Sequence, residues 1–547
     1  MPTDYAIPTL REPAPVAPDE VVLVASGDLR HTANRAGWSA QQKLEADIAT
    51  ALAQHGIRVR RAHGYDEAVG HGFIWNQRMG MDVFATIHAD APVIVAEAVW
   101  EYTHHVLAGL RTQRGPILTA ANWSGQWPGL VGLLNLNASM TKAGMAYSSI
   151  WSEDFSDDFA RAALKEWVTD WKITHDTTHV RTLVPAVLPV REAALGRALA
   201  AQLQQDKAVM GVFDEGCMGM YNAIFDDEVI NPLGIYKERL SQSALYARML
   251  TVKDEEALAV RDWLLARGMR FMYGRDPETE LTEAQVLQQL KMYIAAMRIA
   301  HDFGCAGIGI QYQQGLKDLV PASDLAEGLL NDRDRPPIFH EVTGQELYPG
   351  APLPHFNEVD WGAGVDALIT NRVWTAMGFD PSTSLHDVRW GDPYGDDFVW
   401  VFEISGSVPP SHLTGGYAGT VSERQAPMYF ALGGGTIKGV SKPGSVVWSR
   451  VFLMDGKLQV DIGRATAVEL PEEETERRWQ ATSSNWPIMH AVLHGVSRDQ
   501  FMARHRSNHI QVVYAPDEES ADRALAAKAA MFDALGVTVN LCGDLNL

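Results

Sequence analysis

Two carboxylates, Glu358 and Asp360, stand two residues apart in PHFNEVDWGAGVDALI (354–369), between a proline-rich lead-in and an amphipathic run. Spacing alone leaves three readings open: solvated loop residues, an N-cap by Asp360 on the helix that follows, or a group that holds a ligand. A third carboxylate, Glu327, lies in PASDLAEGLLND (321–332), where Ser323 is placed to cap a helix. Glu327 then falls in the first turns, a position that the helix dipole also favours for an acid. His509 enters an apolar strand in RHRSNHIQVVYA (504–515), as a hydrogen-bonding edge residue or as a ligand. Further pairs occur in HDTTH, EYTHH and MHAVLH, and His490 and His494 have the spacing of ligands on one helical face, but without an HExxH signature. Residues of these types serve as cation ligands or as general acids and bases.

Other chemistries find less support. GCAGIGIQ (304–311) lacks the glycine spacing and helix start of a dinucleotide fingerprint, and the glycines at 433–435 fall among β-like segments. There is no GxxxxGK[ST] phosphate loop and no GxSxG elbow, so a cofactor dehydrogenase and a serine hydrolase are poor readings. Lys and Arg number 46 against 68 Asp and Glu, and the resulting charge of −22 repels nucleic-acid phosphates and anionic membrane surfaces. The opening MPTDYAIPTLREPAPVAPDE lacks the order of a secretory signal. No apolar run approaches the roughly 20 residues that cross a bilayer. Cys217, Cys305 and Cys542 are far apart and in no CxxC pair, which indicates neither a disulfide framework nor a structural zinc site. The expectation is a cytoplasmic protein with a neutral or metal-bound small ligand.

The elements that must carry these residues show in the apolar patterning. VVLVASGDL (21–29) is an apolar run closed by a turn; Leu44, Ile48 and Leu52 recur at helical spacing, and HGIRVRRA resumes strand character. APVIVAEAVW (91–100) and GPILTAANW (115–123) add short buried strands, which argues for a parallel sheet covered by helices. A second alternating block begins near THVRTLVPAVLPV (178–190). Its clearest helix follows a capping box of Thr282 and Gln285, with Val286, Leu290, Ile294 and Met297 on one face. GCAGIGIQYQQ then reads as a strand entering a Gln-rich loop. From about residue 350, DDFVWVFEISGSV, YFALGGGTIKGV and SVVWSRVFLMDGKLQVDIG have the composition of an antiparallel sheet or barrel. A last helix, marked by Leu525, Phe532 and Leu535, stops at Gly536 before the strand VTVNL. The expected fold is α/β: an N-terminal arm (1–20), two Rossmann-like doubly wound α/β domains (21–174 and 175–350), and a β-rich, barrel-like C-terminal domain (351–547).

Taken in order, CMGMYNAIFDDEVINPLGI (217–235), SDLAEGLLND, NEVD, MYFALGGG, SNWP and SNHI resemble the L-fucose isomerase family, which is related to the L-arabinose isomerases. The likeness runs from about residue 20 to the end; each piece alone is weak, and six in the family's order with compatible spacing are specific. The resemblance implies a metal-dependent aldose–ketose isomerase acting on a monosaccharide of the L-fucose or D-arabinose type, assembled as a homo-oligomer, a trimer or hexamer. It implies one divalent metal, typically Mn²⁺, held by Glu327, Asp360 and His509. Glu327 and Asp360 are also the implied acid/base pair, and Glu358 is a neighbour of the ligand. Two hard oxygen donors and an imidazole suit Mn²⁺, and moving a carbonyl between C1 and C2 needs a base together with stabilisation of the enediolate oxygens.

Arg30, Trp100, Tyr429, Trp486 and Asn508 are implied to meet the sugar, core packing being the other reading of Tyr429 and Trp486. The N-terminal domain is implied to reach into a neighbouring subunit's site. Two departures bear on the substrate: HEVTGQELYPG (340–350) lengthens the stretch between Glu327 and Asp360, and Arg504 stands where those enzymes carry an asparagine. The alternatives are an isomerase of the same fold for L-arabinose or a branched or modified sugar, and a non-catalytic sugar-binding relative.

Overall fold

The computed structural model describes residues 8–9, 12–216 and 218–545. Cys217, which opens the first of the family-like segments, and most of the first eleven residues of the N-terminal arm lie outside them. The described chain is a mixed α/β structure with two parallel sheets and one mixed sheet of eight strands.

The first sheet has five parallel strands. Arg58–Arg61 lies at one edge, followed by Glu20–Val24, Val93–Glu97, Ile117–Asn122 and Ser148–Ser152. Val93–Glu97 is buried along its whole length, as a parallel strand covered on both faces must be. The helix His31–Ala53 lays Leu44, Ile48 and Leu52 on the sheet. Its buried Gln41 bonds Ala96 O at 3.0 Å and Ala98 N at 3.0 Å, which fixes the chain where it leaves the third strand. The strand order reverses between Glu20–Val24 and Val93–Glu97, and in such sheets a crevice opens beyond the carboxyl ends of those two strands.

The second sheet has Ala208–Phe213 in the middle, with Ile235–Leu240 and Cys305–Ile310 on either side, all parallel. The helix Glu283–Asp302 covers it and begins with the expected capping box of Thr282 and Gln285.

In the third sheet the pairings close a ring. Gly444–Met454 pairs with His509–Tyr514, which pairs in turn with Thr383–Tyr394, Asp397–Glu403, Ile488–Leu493 and Lys457–Ala467, and the last returns to Gly444–Met454. Thr538–Cys542 adds to this ring in parallel, and Val180–Thr182 pairs on its far side. Residues 180–182 therefore join the sheet of the C-terminal half. The following helix, Val190–Asp206, packs on the C-terminal helix Glu518–Ala534 so closely that a Cβ on Gly196 would stand 2.5 Å from Ala527 O. The helix Gly129–Lys142 is buried along nearly its whole length between the first sheet and the ring.

Two expectations differ locally. YFALGGGTIKGV is irregular, because Gly433 and Gly434 take φ of 73° and 107°, which no extended strand accommodates. His490 belongs to the strand Ile488–Leu493 and His494 to the turn after it, so their four-residue spacing marks no helical face. Among the described residues no helix is long and apolar enough to cross a membrane.

Candidate active site

All three sheets send residues into one pocket. Arg30 follows the first strand of the first sheet and Trp100 follows the third, the two sides of the crevice where the strand order reverses. Gln313 follows Cys305–Ile310 of the second sheet. Asp387 and Arg389 come from the ring strand Thr383–Tyr394, and Tyr429 and Trp486 from loops between ring strands. Four of the five implied sugar contacts, Arg30, Trp100, Tyr429 and Trp486, thus line the same pocket. The fifth, Asn508, is buried behind it, its amide Nδ2 3.5 Å from Asp387 Oδ1 and its own Oδ1 without a partner. Arg30 and Trp100 meet Tyr429 and Trp486 within one chain.

Arg30 fastens the pocket's rim. Its Nε and Nη2 bond Asp28 at 2.8 and 2.6 Å, its Nη1 bonds Gln313 Oε1 at 3.0 Å and Tyr429 O at 3.2 Å, and its guanidinium lies 4.9 Å from the centre of the Tyr429 ring. Thr32 Oγ1 donates to Met428 O at 2.7 Å, a second tie to the same loop.

The carboxylates divide in a way that spacing alone did not reveal. Asp360 is the N-cap of the helix Trp361–Met377, accepting from Gly362 N at 2.9 Å and Ala363 N at 3.2 Å. Arg450 grips it in a fork of 2.6 and 2.9 Å, and His509 Nδ1 donates to it at 2.7 Å. Burial alone would raise the Asp360 carboxyl, yet Arg450 and His509 hold it below the usual carboxylate range. Asp360, expected as a metal ligand and as half of the acid/base pair, therefore has both carboxyl oxygens engaged by protein donors. Burial also opposes the charge on His509, but its bond to Asp360 holds its ring above the ordinary histidine value.

Glu358 is the residue turned outward. It and Val359 both occupy the left-handed region, with φ of 57° and 56°. Such residues carry strain of order 1–3 kcal/mol each and persist only where the surroundings impose them. Here Gln311 Nε2 holds Glu358 O at 2.9 Å. The side chain reaches the pocket wall, where burial pushes its carboxyl up to about 7 against the pull of His509.

Glu327 sits one layer behind, in the short helix Asp324–Leu330, with Ser323 Oγ donating to one carboxyl oxygen and Asn357 Nδ2 to the other. Ser323 thus serves Glu327 rather than the helix amides. Burial, with Asp324 close by, pushes Glu327 well above the usual range, and burial pushes Asp324 up to about 7. Asp324 Oδ2 is buried without a partner.

Asp387, Arg389 and Arg450 were not singled out in the sequence. Asp387 faces His509 Nε2 at 3.5 Å, and Glu358 faces the same nitrogen at 3.8 Å. Arg389 sits where the strand register skips: Val388 pairs with Phe402 and Trp390 with Val401. Such a bulge re-aims a side chain. The signal available was the pair of charged residues Asp387 and Arg389, two apart inside a strand. Arg450 lies 90 residues from Asp360 and had none. The donors suit a hard cation in kind, and Asp324 Oδ2 and Asn508 Oδ1 are buried oxygens awaiting a partner. As they stand, no three metal-ligating side chains among the described residues are gathered closely enough to hold an ion. No family model matches the chain, and no curated protein matches it.

Proposed function

We propose that this chain is a metal-dependent aldose–ketose isomerase of the L-fucose isomerase kind, acting on a 6-deoxyhexose or pentose of the L-fucose or D-arabinose type. The observation that carries the reading is convergence: Arg30, Trp100, Tyr429 and Trp486, implied as sugar contacts from four distant segments, line one pocket with His509 and the carboxyls behind its wall. In this reading the two parallel sheets with their helices are two doubly wound domains, the ring of strands is the third, and the protein is a cytoplasmic homo-oligomer.

A divalent ion such as Mn²⁺, bound beside His509, would supply Lewis-acid polarisation of the sugar's carbonyl and neighbouring hydroxyl. The chain's own groups do the rest. Glu358 at the wall is placed to take a proton from one carbon and return it to the next, and Glu327 behind it is the second carboxyl of the cluster. Trp100, Tyr429 and Trp486 give the apolar sides that a sugar's C–H faces pack on, while Gln313, Ser405 and Arg389 offer donors and acceptors to its hydroxyls.

The test is a ketose-formation screen over aldopentoses and 6-deoxyhexoses, before and after exhaustive chelation. Ketose should form from at least one of these sugars, vanish on chelation and return with Mn²⁺. Turnover that survives chelation sinks the metal-dependent mechanism, and absence of any ketose sinks the isomerase reading.

A further inference from the structure

Arg506, three residues before His509, belongs to a different cavity from the candidate pocket. Beside the strand Ser148–Ser152, at the edge of the first sheet, two recesses share residues 145–148 and Lys172 and so run into one another. The larger, of about 580 Å³, lies between the first sheet and the ring, which closes it with Arg506 and the turn at Asp455. That volume is in the range of small-molecule sites. Neither recess shares a lining residue with the candidate pocket.

Charge sets this cleft apart. The whole chain carries −22, yet the cleft is lined by Arg111, Arg114, Lys172 and Arg506 against a single carboxylate, Asp455. Arg114 is paired with Asp90 at 2.7 Å. The other three cations form no ion pair among the described residues. Arg506 donates through Nη1 to Ala503 O at 2.9 Å, which leaves most of a guanidinium's five donors unused. Lys172 stands between two fixed points, because Ile173 N donates to Ser148 Oγ at 2.9 Å and His175 Nε2 to Ser149 O at 2.8 Å. Guanidinium and ammonium groups together are what proteins set around phosphate. A phosphate monoester, with about two negative charges at neutral pH, answers several unpaired cations better than one carboxylate does.

The cleft also has a route to the pocket. His505 Nε2 donates to His509 O at 2.9 Å, and His509 N donates to Ser507 Oγ at 3.0 Å. Residues 505–509 are thus tied to one another, with Arg506 on the cleft and the buried Asn508 and His509 behind the wall of the pocket.

We propose that this cleft is a second ligand site, for a small molecule bearing a phosphate group held between Lys172 and Arg506, and that its occupant acts on the candidate pocket through residues 505–509.

The full chain is titrated calorimetrically with inorganic pyrophosphate at low salt. The wild type should bind it at one site per chain. Lys172→Gln and Arg506→Gln should each weaken binding about tenfold, the loss of one charge-assisted contact, and the double variant should lose binding over the same concentrations. Arg197→Gln, on a helix that does not line the cleft, should bind as the wild type does. Lys172 is exposed, so its variant decides the matter if Arg506→Gln does not fold. Pyrophosphate should also slow amide exchange across residues 504–508 at least threefold in the wild type and leave it unchanged in the double variant. The site is overturned if the wild type binds no pyrophosphate, if the double variant binds as the wild type does, or if Arg197→Gln loses as much as the cleft variants. Binding without any change in exchange across 504–508 overturns the link to the pocket.

Discussion

The Asp360–Arg450 pair should be strongly coupled, and the structure indicates by how much. Arg450 Nη1 and Nη2 reach Asp360 at 2.6 and 2.9 Å, and the two side chains are 1% and 0% exposed. Removing one partner of such a pair leaves a buried charge uncompensated and costs about 3–5 kcal/mol. Arg450→Met leaves Asp360 with two helix amides and His509, which argues for the low end, about 3 kcal/mol. Asp360→Asn leaves the guanidinium without its counter-charge, with only neutral acceptors such as Asn222 Oδ1 at 3.4 Å, at a similar cost of about 3 kcal/mol. In the double variant neither charge remains, so its loss should fall short of the sum by about 2–3 kcal/mol. The assay is a double-mutant cycle on urea midpoints, with refolding verified for each variant and slopes compared. Losses that add to within about 0.5 kcal/mol would refute the coupling. The pH dependence gives an independent check. The folded value of Asp360 lies below its unfolded value, so its contribution is fully present above about pH 4 and is lost as the pH falls through the folded value. The gap between wild type and Arg450→Met should therefore be flat from pH 5 to 8 and shrink only in acid.

Two further outcomes follow from other sites. Burial pushes Glu101 up to about 8 although Thr103, Ser26 and Asn135 bond it; its stabilising contribution is present below about pH 4.3 and lost as the pH rises through 8. Glu101→Gln should accordingly raise the melting temperature at pH 9, by about 1–3 kcal/mol of stability, and change it little at pH 5; equal shifts at both values would count against a buried neutral acid. Arg30→Met should release the loop at 426–434 and leave Asp28 without its partner. Faster amide exchange across that loop and a KM raised about tenfold are expected, and unchanged exchange would show that Arg30 does not fasten the rim.

Residues whose roles follow from local patterning were legible in the sequence. The capping box at Thr282, the buried parallel strands and the final helix each express a period or a cap set within a dozen residues. YFALGGGTIKGV misled because its β-like composition is overridden by two glycine conformations. His490 and His494 misled because a spacing of four means one face only on a helix, and the chain there is extended.

The contrast between Glu358 and Asp360 has a different cause. Both are carboxylates of one segment, and nothing within it says which of them faces the pocket. The choice is made by partners far away in sequence: Arg450 and His509 occupy Asp360, and Gln311 holds the backbone that turns Glu358 outward. The same partners make the arrangement self-consistent. A carboxylate sunk against a guanidinium and a helix N-terminus is too well satisfied to serve as a base. It is well suited to hold an imidazole still, and the acid two residues before it, strained and poorly bonded, is left to face the pocket.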